Sequence, residues 1–182
     1  MHTDEVLEDL PKKYVVYSSC YRKEIGSYGK DVRGILRVHE FKKVEMVVFC
    51  KPEDSDKIHE ELLAIEEEVY KELGIAYQVV KMATGDLGNA ASKKYDLEAW
   101  IPSQDKYREI TSTSNTTDFQ ARRLNIKYKK DGKNEFVHTL NGTISTTSRT
   151  IIAIMENFQN EDGSVNIPKV LQKWMGKGKI SV

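Results

Sequence analysis

The chain has 182 residues, of which 39% are hydrophobic and 31% are charged, and its 28 basic and 28 acidic residues cancel to a net charge of zero. This length and composition predict one soluble domain with a buried core, spanning residues 1–182. The balanced charge excludes a global field that would hold the protein on a polyanion, so any contact with nucleic acid must come from local patches or from a part outside this chain.

Cysteine usage and hydropathy indicate where the protein works. Cys20 and Cys50 have no ligand-like spacing to each other or to the four histidines, so neither a disulfide framework nor a zinc site is expected. No apolar run approaches the roughly 18 residues of a membrane helix, and the acidic first ten residues do not resemble a signal peptide. We therefore expect a reduced, cytoplasmic protein that has no membrane partner.

Strands are predicted near the N-terminus. Alternating apolar and β-branched residues in "KYVVYSSCYRKE" predict a strand around residues 13–24, with Val15 and Tyr17 facing the core. A glycine-rich loop follows, and strand character returns over residues 35–41 and 44–50. These segments predict antiparallel pairing.

An amphipathic helix is predicted next, because apolar residues recur at three- or four-residue spacing. The recurring residues are Ile58, Leu62, Ile65, Val69 and Leu73. Ser55 suits the start of this helix and Gly74 suits its end. The acidic runs in "HEELLAIEEEVYKEL" are expected to form its solvated face, and His59 is expected to be structural or exposed.

The rest of the chain alternates strands with helices. "AYQVVKM" and "YDLEAWIP" predict strands joined by a turn in "ATGDLGNAASKK". Thr117 or Asp118 can cap a short helix that runs through Leu124, "KDG" predicts a hairpin turn and "NEFVHTLN" predicts a strand. Helices follow from about residue 148 to 158 and from Pro168. The pattern predicts an α+β fold in which helices flank an antiparallel sheet.

The stretch "YRKEIGSYGKDVRGILRVHEFKKVE" carries a dense set of polar side chains. Residues two apart on a strand share a face, so Arg22 is expected to project with Glu24, and Arg37 with His39 and Phe41. A guanidinium matches phosphate oxygens, an aromatic ring stacks on a base, and a carboxylate accepts from an exocyclic amine. Together they predict a nucleotide pocket, with His39 as a structural hydrogen-bonding residue. Taken alone, the arginines also suit a solvated strand and Phe41 suits the core.

Two further segments supply partners for phosphate. Glu109 and Ser112 in "REITS" carry oxygen ligands of the kind that a hard divalent cation takes when it also binds phosphates. Taken alone, Glu109 also suits an exposed surface carboxylate. Arg149 lies near the start of the "SRTIIAIMENFQ" helix, where backbone N–H groups and the helix dipole favour an anion. Both ends of a triphosphate therefore have candidate partners.

Three segments resemble seryl-tRNA synthetases, which are class II aminoacyl-tRNA synthetases. The stretch from Tyr21 to Glu45 resembles their second conserved motif, "HTLNGTISTTSRTIIAIMENFQNEDGSVNIPKVL" resembles their third, and "ATGDLGNAASKKYDLEAWIPSQDKYREITSTSNTTDFQARRLNIKY" is similar to the segment between them. The resemblance runs from about Leu10 to the C-terminus. It implies a class II catalytic fold that activates serine with ATP and Mg²⁺ and passes it to the 3′ end of serine tRNA, in a parent protein that is a homodimer.

The resemblance also implies roles for individual residues toward ATP. Arg22 would hold the α-phosphate, Arg37 the outer phosphates, and Arg149 the far phosphate from the other side of the adenine ring; these three are the implied catalytic residues. Glu24 and the backbone of Val38 would contact adenine, above a stacked Phe41. The implied ATP-binding set is Arg22, Lys23, Glu24, Arg37, Val38, Phe41, Glu109, Ile110, Thr111, Ser112 and Arg149.

Serine and metal would have their own ligands in the same site. The implied serine pocket is formed by Glu45, Asn141 and Thr143. The implied magnesium ligands are Glu109 and Ser112.

The chain also departs from the family pattern. We find no counterpart for the motif that builds the dimer interface, for the strip that recognises the serine ammonium group, or for the N-terminal helical hairpin that binds tRNA. Ile144 and Ser148 stand where the family commonly has glycine, which indicates a less permissive backbone near Thr143.

Two interpretations stay open: a fragment of a seryl-tRNA synthetase, and a natural truncated paralogue that acts as a nucleotide-binding or regulatory module without aminoacylation. In both, the implied site lacks its upstream part. We therefore expect the isolated chain to bind ATP and magnesium weakly, to charge tRNA poorly or not at all, and not to form the family dimer normally.

Overall fold

The fold is built around one long sheet, and a computed structural model describes it for residues 2–23 and 34–181. The strands are β1 (Val6–Leu7), β2 (Lys12–Tyr21), β3 (Glu40–Cys50), β4 (Tyr77–Lys81), β5 (Lys93–Ile101), β6 (Lys106–Asn115), β7 (Lys127–Lys130), β8 (Lys133–Phe136), β9 (His138–Thr146), β10 (Val165–Asn166) and β11 (Lys179–Ile180). The helices are α1 (Ser55–Leu73), α2 (Phe119–Leu124), α3 (Thr147–Phe158) and α4 (Lys169–Met175).

The main sheet has an antiparallel order that interleaves distant parts of the chain. Within residues 2–23 and 34–181 it contains six strands in the order β2-β3-β9-β6-β5-β4, and every neighbouring pair is antiparallel. The register of β3 with β9 shifts between Val44 and Glu45, and that of β5 with β6 shifts between Leu97 and Glu98. Such bulges change the direction in which nearby side chains point. The predicted antiparallel sheet flanked by helices is confirmed.

Apolar clusters attach α1 and α3 to one face of the main sheet. One cluster joins Tyr70 of α1 and Ala153 of α3 to Leu97, Ile101 and Ile110 of the sheet. A second consists of Met46, Val48, Cys50, Ile58, Leu62 and Leu140. A third lies around α2 and the small sheet of β1, β7 and β8, and consists of Leu7, Phe49, Ala121, Ile126, Tyr128 and Val137. On these strands, the residues between the cluster members point to the opposite face of the sheet, where polar side chains can lie.

The predicted "KDG" hairpin is confirmed between β7 and β8. Asp131 and Gly132 connect the strands with φ angles of 50° and 77°. Two consecutive positive φ values are the geometry of a type I′ turn, which matches the twist of the paired strands.

Helix α1 confirms the predicted amphipathic helix, but its buried face differs from the predicted stripe. Ile65 is 41% exposed, whereas Glu66 and His59 are fully buried. The expectation that the acidic runs are solvated is therefore wrong at Glu66. Ser55 is the first residue of the helix, and its hydroxyl donates to the Pro52 carbonyl at 3.0 Å instead of capping the helix. Each step along a helix turns the side chain by about 100°, so neighbouring positions differ sharply in burial.

Gly74 ends α1 in the left-handed conformation, with φ of 72° and its N–H bonded to the Lys71 carbonyl. We expect Gly74→Ala to lower the free energy of unfolding by about 1 kcal/mol, because a Cβ is disfavoured at this backbone angle. Urea denaturation followed by circular dichroism measures this. Gly85→Ala is the matched control, since no atom lies within 4 Å of its added Cβ; an equal loss in both variants would contradict the cap argument.

The strand predicted around residues 13–24 exists as β2, but its inward face was predicted wrongly. Val15 and Tyr17 are 68% and 65% exposed, whereas Tyr14 packs beside Phe49. Successive strand residues point to opposite faces, so an error of one position exchanges the two sets. β2 is also an edge strand of the main sheet, where apolar composition says little about which face is covered.

The strand predicted over residues 35–41 is wrong for most of its length. Residues 34–39 form turns and bends, and β3 begins only at Glu40. Gly34 has φ of 69°, a left-handed angle that interrupts an extended chain. Consequently Arg37 and His39 do not share a strand face with Phe41 as predicted.

Hydrogen bonds nevertheless hold this segment next to the end of β2. The Arg22 N–H donates to the His39 carbonyl at 2.9 Å, and His39 Nδ1 donates to the Arg22 carbonyl at 2.7 Å. The predicted structural role of His39 is confirmed. β2 ends at Tyr21, so Arg22 lies just beyond the strand, and Glu24 lies outside the described residues.

Three other boundaries differ from the predictions. "NEFVHTLN" contributes to two strands, β8 and β9, which meet at Val137. Pro168 precedes α4 as its N-terminal flanking residue and is not itself helical. β6 was not predicted as a strand because its "REITSTSN" segment has few apolar residues. No helix in the described part of the chain is both long enough and apolar enough to cross a bilayer.

Candidate active site

A polar cavity of about 190 Å³, open to solvent, lies against the main sheet. It is bounded by β3, β6 and β9, by residues 34–39, and by the first turn of α3. Its lining residues are Arg22, Leu36, Arg37, Val38, Phe41, Lys43, Glu45, Glu109, Ile110, Thr111, Ser112, Asn141, Thr143, Thr146, Ser148 and Arg149. The cavity therefore gathers residues from all three segments that the sequence singled out.

One wall of the cavity combines a cation with an aromatic ring. The guanidinium carbon of Arg22 lies 4.9 Å from the centroid of the Phe41 ring. Arg37 and Val38 line the same cavity from the segment between Gly34 and β3. A guanidinium is always charged and presents a planar set of donors, so this wall suits a planar or anionic group.

Among the lining residues, Arg149 of α3 is held in place by direct contacts with Glu109 of β6. Its Nη1 donates to the Glu109 backbone carbonyl at 2.6 Å and forms an ion pair with Glu109 Oε2 at 3.2 Å. Arg149 is the third residue of α3, where the unpaired N–H groups of the first turn already favour negative charge. The pair places a cation beside an exposed carboxylate, the arrangement that a metal-bound phosphate would need.

A second part of the cavity is a hydrogen-bonded group centred on Glu45. Its Oε2 accepts from Thr143 Oγ1 at 2.7 Å and pairs with Lys43 Nζ at 2.9 Å, and its Oε1 accepts from Asn141 Nδ2 at 3.2 Å. Glu45 and Thr143 are opposite each other in the β3-β9 register, just after the bulge. A half-buried carboxylate with three fixed partners can bind one small hydroxyl group with defined geometry.

Oxygen donors for a divalent cation lie on β5 and β6. Ser112 is opposite Asp96, and Glu109 is opposite Glu98. Asp96 is buried and pairs with Lys94 at 2.8 Å; burial raises the pKa of its carboxyl group, and Lys94 opposes that rise. Among the described residues no group of three or more acidic, histidine or cysteine side chains is arranged as a metal cluster. The oxygen chemistry of Glu109 and Ser112 fits a cation that takes its other ligands from phosphate and water.

Two of the predicted ATP-binding residues direct their side chains elsewhere. Ile110 packs in the core cluster with Tyr70, and the Thr111 hydroxyl donates to Glu66 of α1 at 3.0 Å. Both line the cavity, and with their side chains committed they present backbone to it. Lys23 is exposed and does not contribute to the lining within the described part of the chain.

Some lining residues were not predicted from the sequence. Lys43, Leu36, Thr146 and Ser148 join the cavity, and only Lys43 carried a usable signal because it lies two residues before Glu45 on the same strand. Ile144 lies in β9 and Ser148 in the first turn of α3, so neither position requires the backbone freedom of glycine.

A family profile described as tRNA synthetase class II core domain (G, H, P, S and T) matches residues 1–158. The chain belongs to the class II tRNA synthetase core family. The predicted class II resemblance is thereby confirmed, and the relatives below confirm the resemblance to seryl-tRNA synthetases. Curated relatives agree: the serine–tRNA ligase of Thermosipho melanesiensis is 55% identical over 100% of this chain and 44% of its own length, and that of Thermoplasma volcanium is 56% identical over 97% and 40%.

Solved structures of this synthetase family have the same fold. Seryl-tRNA synthetase from Pyrococcus horikoshii, complexed with ATP, superposes with a TM-score of 0.96 and 54% identity over 99% of this chain and 41% of that one. The cytoplasmic enzyme from Naegleria fowleri, in complex with AMP, gives 0.93 and 46%, over 99% of this chain and 43% of that one. The chain thus spans less than half the length of each of these relatives. None of them supports the alternative of a regulatory module.

Proposed function

We propose that the chain forms the ATP-binding and serine-binding part of a serine–tRNA ligase. The observation that carries this proposal is that three arginines line one cavity together with the hydrogen-bonded group of Glu45, Asn141 and Thr143. The names of the relatives support the choice of serine, and the ATP and AMP complexes of the two solved relatives support the choice of nucleotide.

In the proposed reaction the serine carboxylate attacks the α-phosphorus of ATP, seryl-adenylate forms and pyrophosphate leaves. Arg22 would hold the α-phosphate, Arg37 the outer phosphates and Arg149 the far phosphate, so that fixed guanidinium groups meet the charge as it develops. Phe41 would stack under adenine, and the Val38 backbone would read its edge. This chemistry depends on positioning and needs no general base.

Several assignments complete the proposed site. Glu109 and Ser112 would hold Mg²⁺, which when bound would neutralise phosphate charge. Thr111 and Ile110 would contribute through their backbone. Lys23 and Glu24 flank Arg22, and their assignment rests on the sequence resemblance alone. Transfer of serine to the 3′ end of serine tRNA, a homodimer and a cytoplasmic location are the corresponding proposals for the whole protein.

Binding of a non-hydrolysable seryl-adenylate analogue tests the proposal, because the analogue occupies both parts of the cavity. Calorimetric titration of the protein should give an affinity at least about tenfold higher than for the alanyl analogue, which leaves the Glu45 group unpaired. ATP affinity should fall when EDTA removes magnesium. Equal affinity for the two analogues would contradict the serine assignment, and no binding of ATP with magnesium would contradict the nucleotide assignment.

A further inference from the structure

Helix α1 inserts a carboxyl group between itself and the main sheet. Glu66 is fully buried, and its Oε2 accepts a hydrogen bond from Thr111 Oγ1 at 3.0 Å. Its Oε1 has no hydrogen-bond partner within the described residues. A buried carboxyl group costs free energy that a leucine at the same position would not, so its presence on a helix face whose buried residues are mostly apolar calls for a physical reason.

The orphan oxygen of Glu66 occupies the space in which a side chain at Gly142 would lie, on the strand that forms the serine part of the cavity. A Cβ built on Gly142 would lie 2.8 Å from Glu66 Oε1 and 3.1 Å from Thr113 Oγ1. A side chain at Gly142 would therefore require Glu66 Oε1 to move, and would require Thr113 Oγ1 and Met46 Cε, which also lies 3.1 Å from the added Cβ, to give way slightly. The flanking residues Asn141 and Thr143 point to the opposite face, where both donate to Glu45. Glu66 therefore lies directly behind the residues that are proposed to bind serine.

The environment favours the neutral form of this carboxyl group. Burial raises the pKa of Glu66 to about 8, the Thr111 hydrogen bond opposes the rise, and the carboxylates of Glu45 and Asp96 on neighbouring strands add to it. A neutral carboxylic acid both donates and accepts hydrogen bonds. Thr113 Oγ1, close to the same point, donates to the Asn141 carbonyl at 3.0 Å. On this face of the sheet, Thr113 therefore links the surroundings of Glu66 to the backbone of Asn141.

We propose that Glu66 is a positioning residue for the serine subsite: its buried carboxyl group presses against the back of Gly142 and fixes the segment that presents Asn141 and Thr143 to Glu45. This inference rests on the proposed function. It does not involve the phosphate-binding arginines, and Glu66 contacts Thr111 through the hydroxyl, whereas Thr111 is proposed to meet ATP through its backbone. Loss of Glu66 should therefore weaken recognition of serine while ATP binding is preserved.

The test compares Glu66→Ala and Glu66→Gln, with Glu68→Ala on the exposed side of α1 as the matched control. Affinities for ATP with magnesium and for the seryl-adenylate analogue are measured by calorimetry. Glu66→Ala should weaken analogue binding about three- to tenfold, the loss expected for one hydrogen bond, with ATP affinity unchanged. Glu66→Gln keeps the shape and the hydrogen-bonding capacity and should restore most of the affinity. Glu68→Ala should match the unsubstituted protein.

Two results would overturn the inference: an equal loss of affinity for ATP and for the analogue in Glu66→Ala, or no loss for either. Hydrogen–deuterium exchange of the amides at residues 141–143 provides a readout that does not depend on ligand. Exchange should accelerate in Glu66→Ala and return to the original rate in Glu66→Gln; unchanged exchange would also refute the contact. If the unsubstituted protein fails to bind the analogue, the proposed function fails, and the exchange result still decides whether Glu66 holds the strand.

The contact with Gly142 allows an independent check by a double substitution. Gly142→Ala should weaken analogue binding, because its Cβ meets Glu66 Oε1. In the Glu66→Ala background the same substitution should cost less, since the nearest opposing atom is gone while Met46 Cε and Thr113 Oγ1 remain. Additive losses would show that the two positions act separately.

Discussion

Arg149→Ala is expected to slow serine-dependent cleavage of ATP by roughly 10²- to 10³-fold, or about 3 to 4 kcal/mol of transition-state stabilisation. The guanidinium would act as a fixed donor to the triphosphate, and its present partners, the Glu109 carbonyl and carboxylate, show that it is already held in place. Single-turnover formation of seryl-adenylate and pyrophosphate from serine and ATP, with protein in excess over ATP, measures the rate.

Two variants make this experiment specific. Arg149→Lys keeps the charge but loses the planar donor set, so an intermediate rate is expected. Arg122→Ala removes an exposed arginine of α2 whose partners are Asp118 and the Phe136 ring, and should leave the rate unchanged. If Arg149→Ala and Arg122→Ala react equally fast, Arg149 does not contact the triphosphate and the nucleotide assignment loses its best-placed cation.

Removal of Arg149 also removes the partner of the Glu109 carboxylate. The dependence of the rate on magnesium concentration distinguishes loss of the guanidinium from displacement of Glu109. If the rate loss comes from the missing guanidinium, added magnesium will not restore it. If it comes from a displaced Glu109, saturating magnesium should recover part of the rate, because the cation can reorder its own ligand.

The polar residues of the site were predictable because their chemistry is carried by residue type and spacing. Arg22, Glu109 and Arg149 lie far apart in the sequence, yet the cavity contains all three. The resemblance of their flanking segments to known motifs supplied the tertiary information that local patterns lack. Local periodicity alone placed Arg37 on a strand, which the left-handed turn at Gly34 excludes.

Burial was less predictable than secondary structure. Val15 was placed on the wrong face of β2, since alternation gives the two faces but does not say which one is covered. Glu66 was counted with the solvated acidic run because its neighbours Glu67 and Glu68 are hydrophilic too. Glu66 lies four residues after Leu62 and four before Tyr70, on the buried stripe of α1. Its partners Thr111 and Gly142 come from β6 and β9, and only the packed sheet brings them together.

Glu45→Ala is expected to weaken binding of the seryl-adenylate analogue by roughly 10- to 100-fold, or about 1.5 to 3 kcal/mol, while ATP affinity stays within about twofold. Two costs combine in this variant. The serine hydroxyl would lose its charged acceptor, and the donors of Asn141 and Thr143, which now bond to Glu45, would be left unpaired in a half-buried site. Calorimetry with the two ligands separates the serine part of the cavity from the nucleotide part.

The alanyl-adenylate analogue turns this variant into a test of selectivity. Alanine has no hydroxyl, so its analogue should lose much less affinity than the seryl analogue in Glu45→Ala, and the ratio of the two affinities should move toward one. Glu40→Ala, on the same strand but exposed and bonded only weakly by Tyr21 at 3.2 Å, should leave both affinities unchanged. Equal losses for both analogues in Glu45→Ala would mean that Glu45 supports the strand without recognising the serine side chain. A group that binds the serine hydroxyl must distinguish the ligand that has this hydroxyl from the ligand that lacks it.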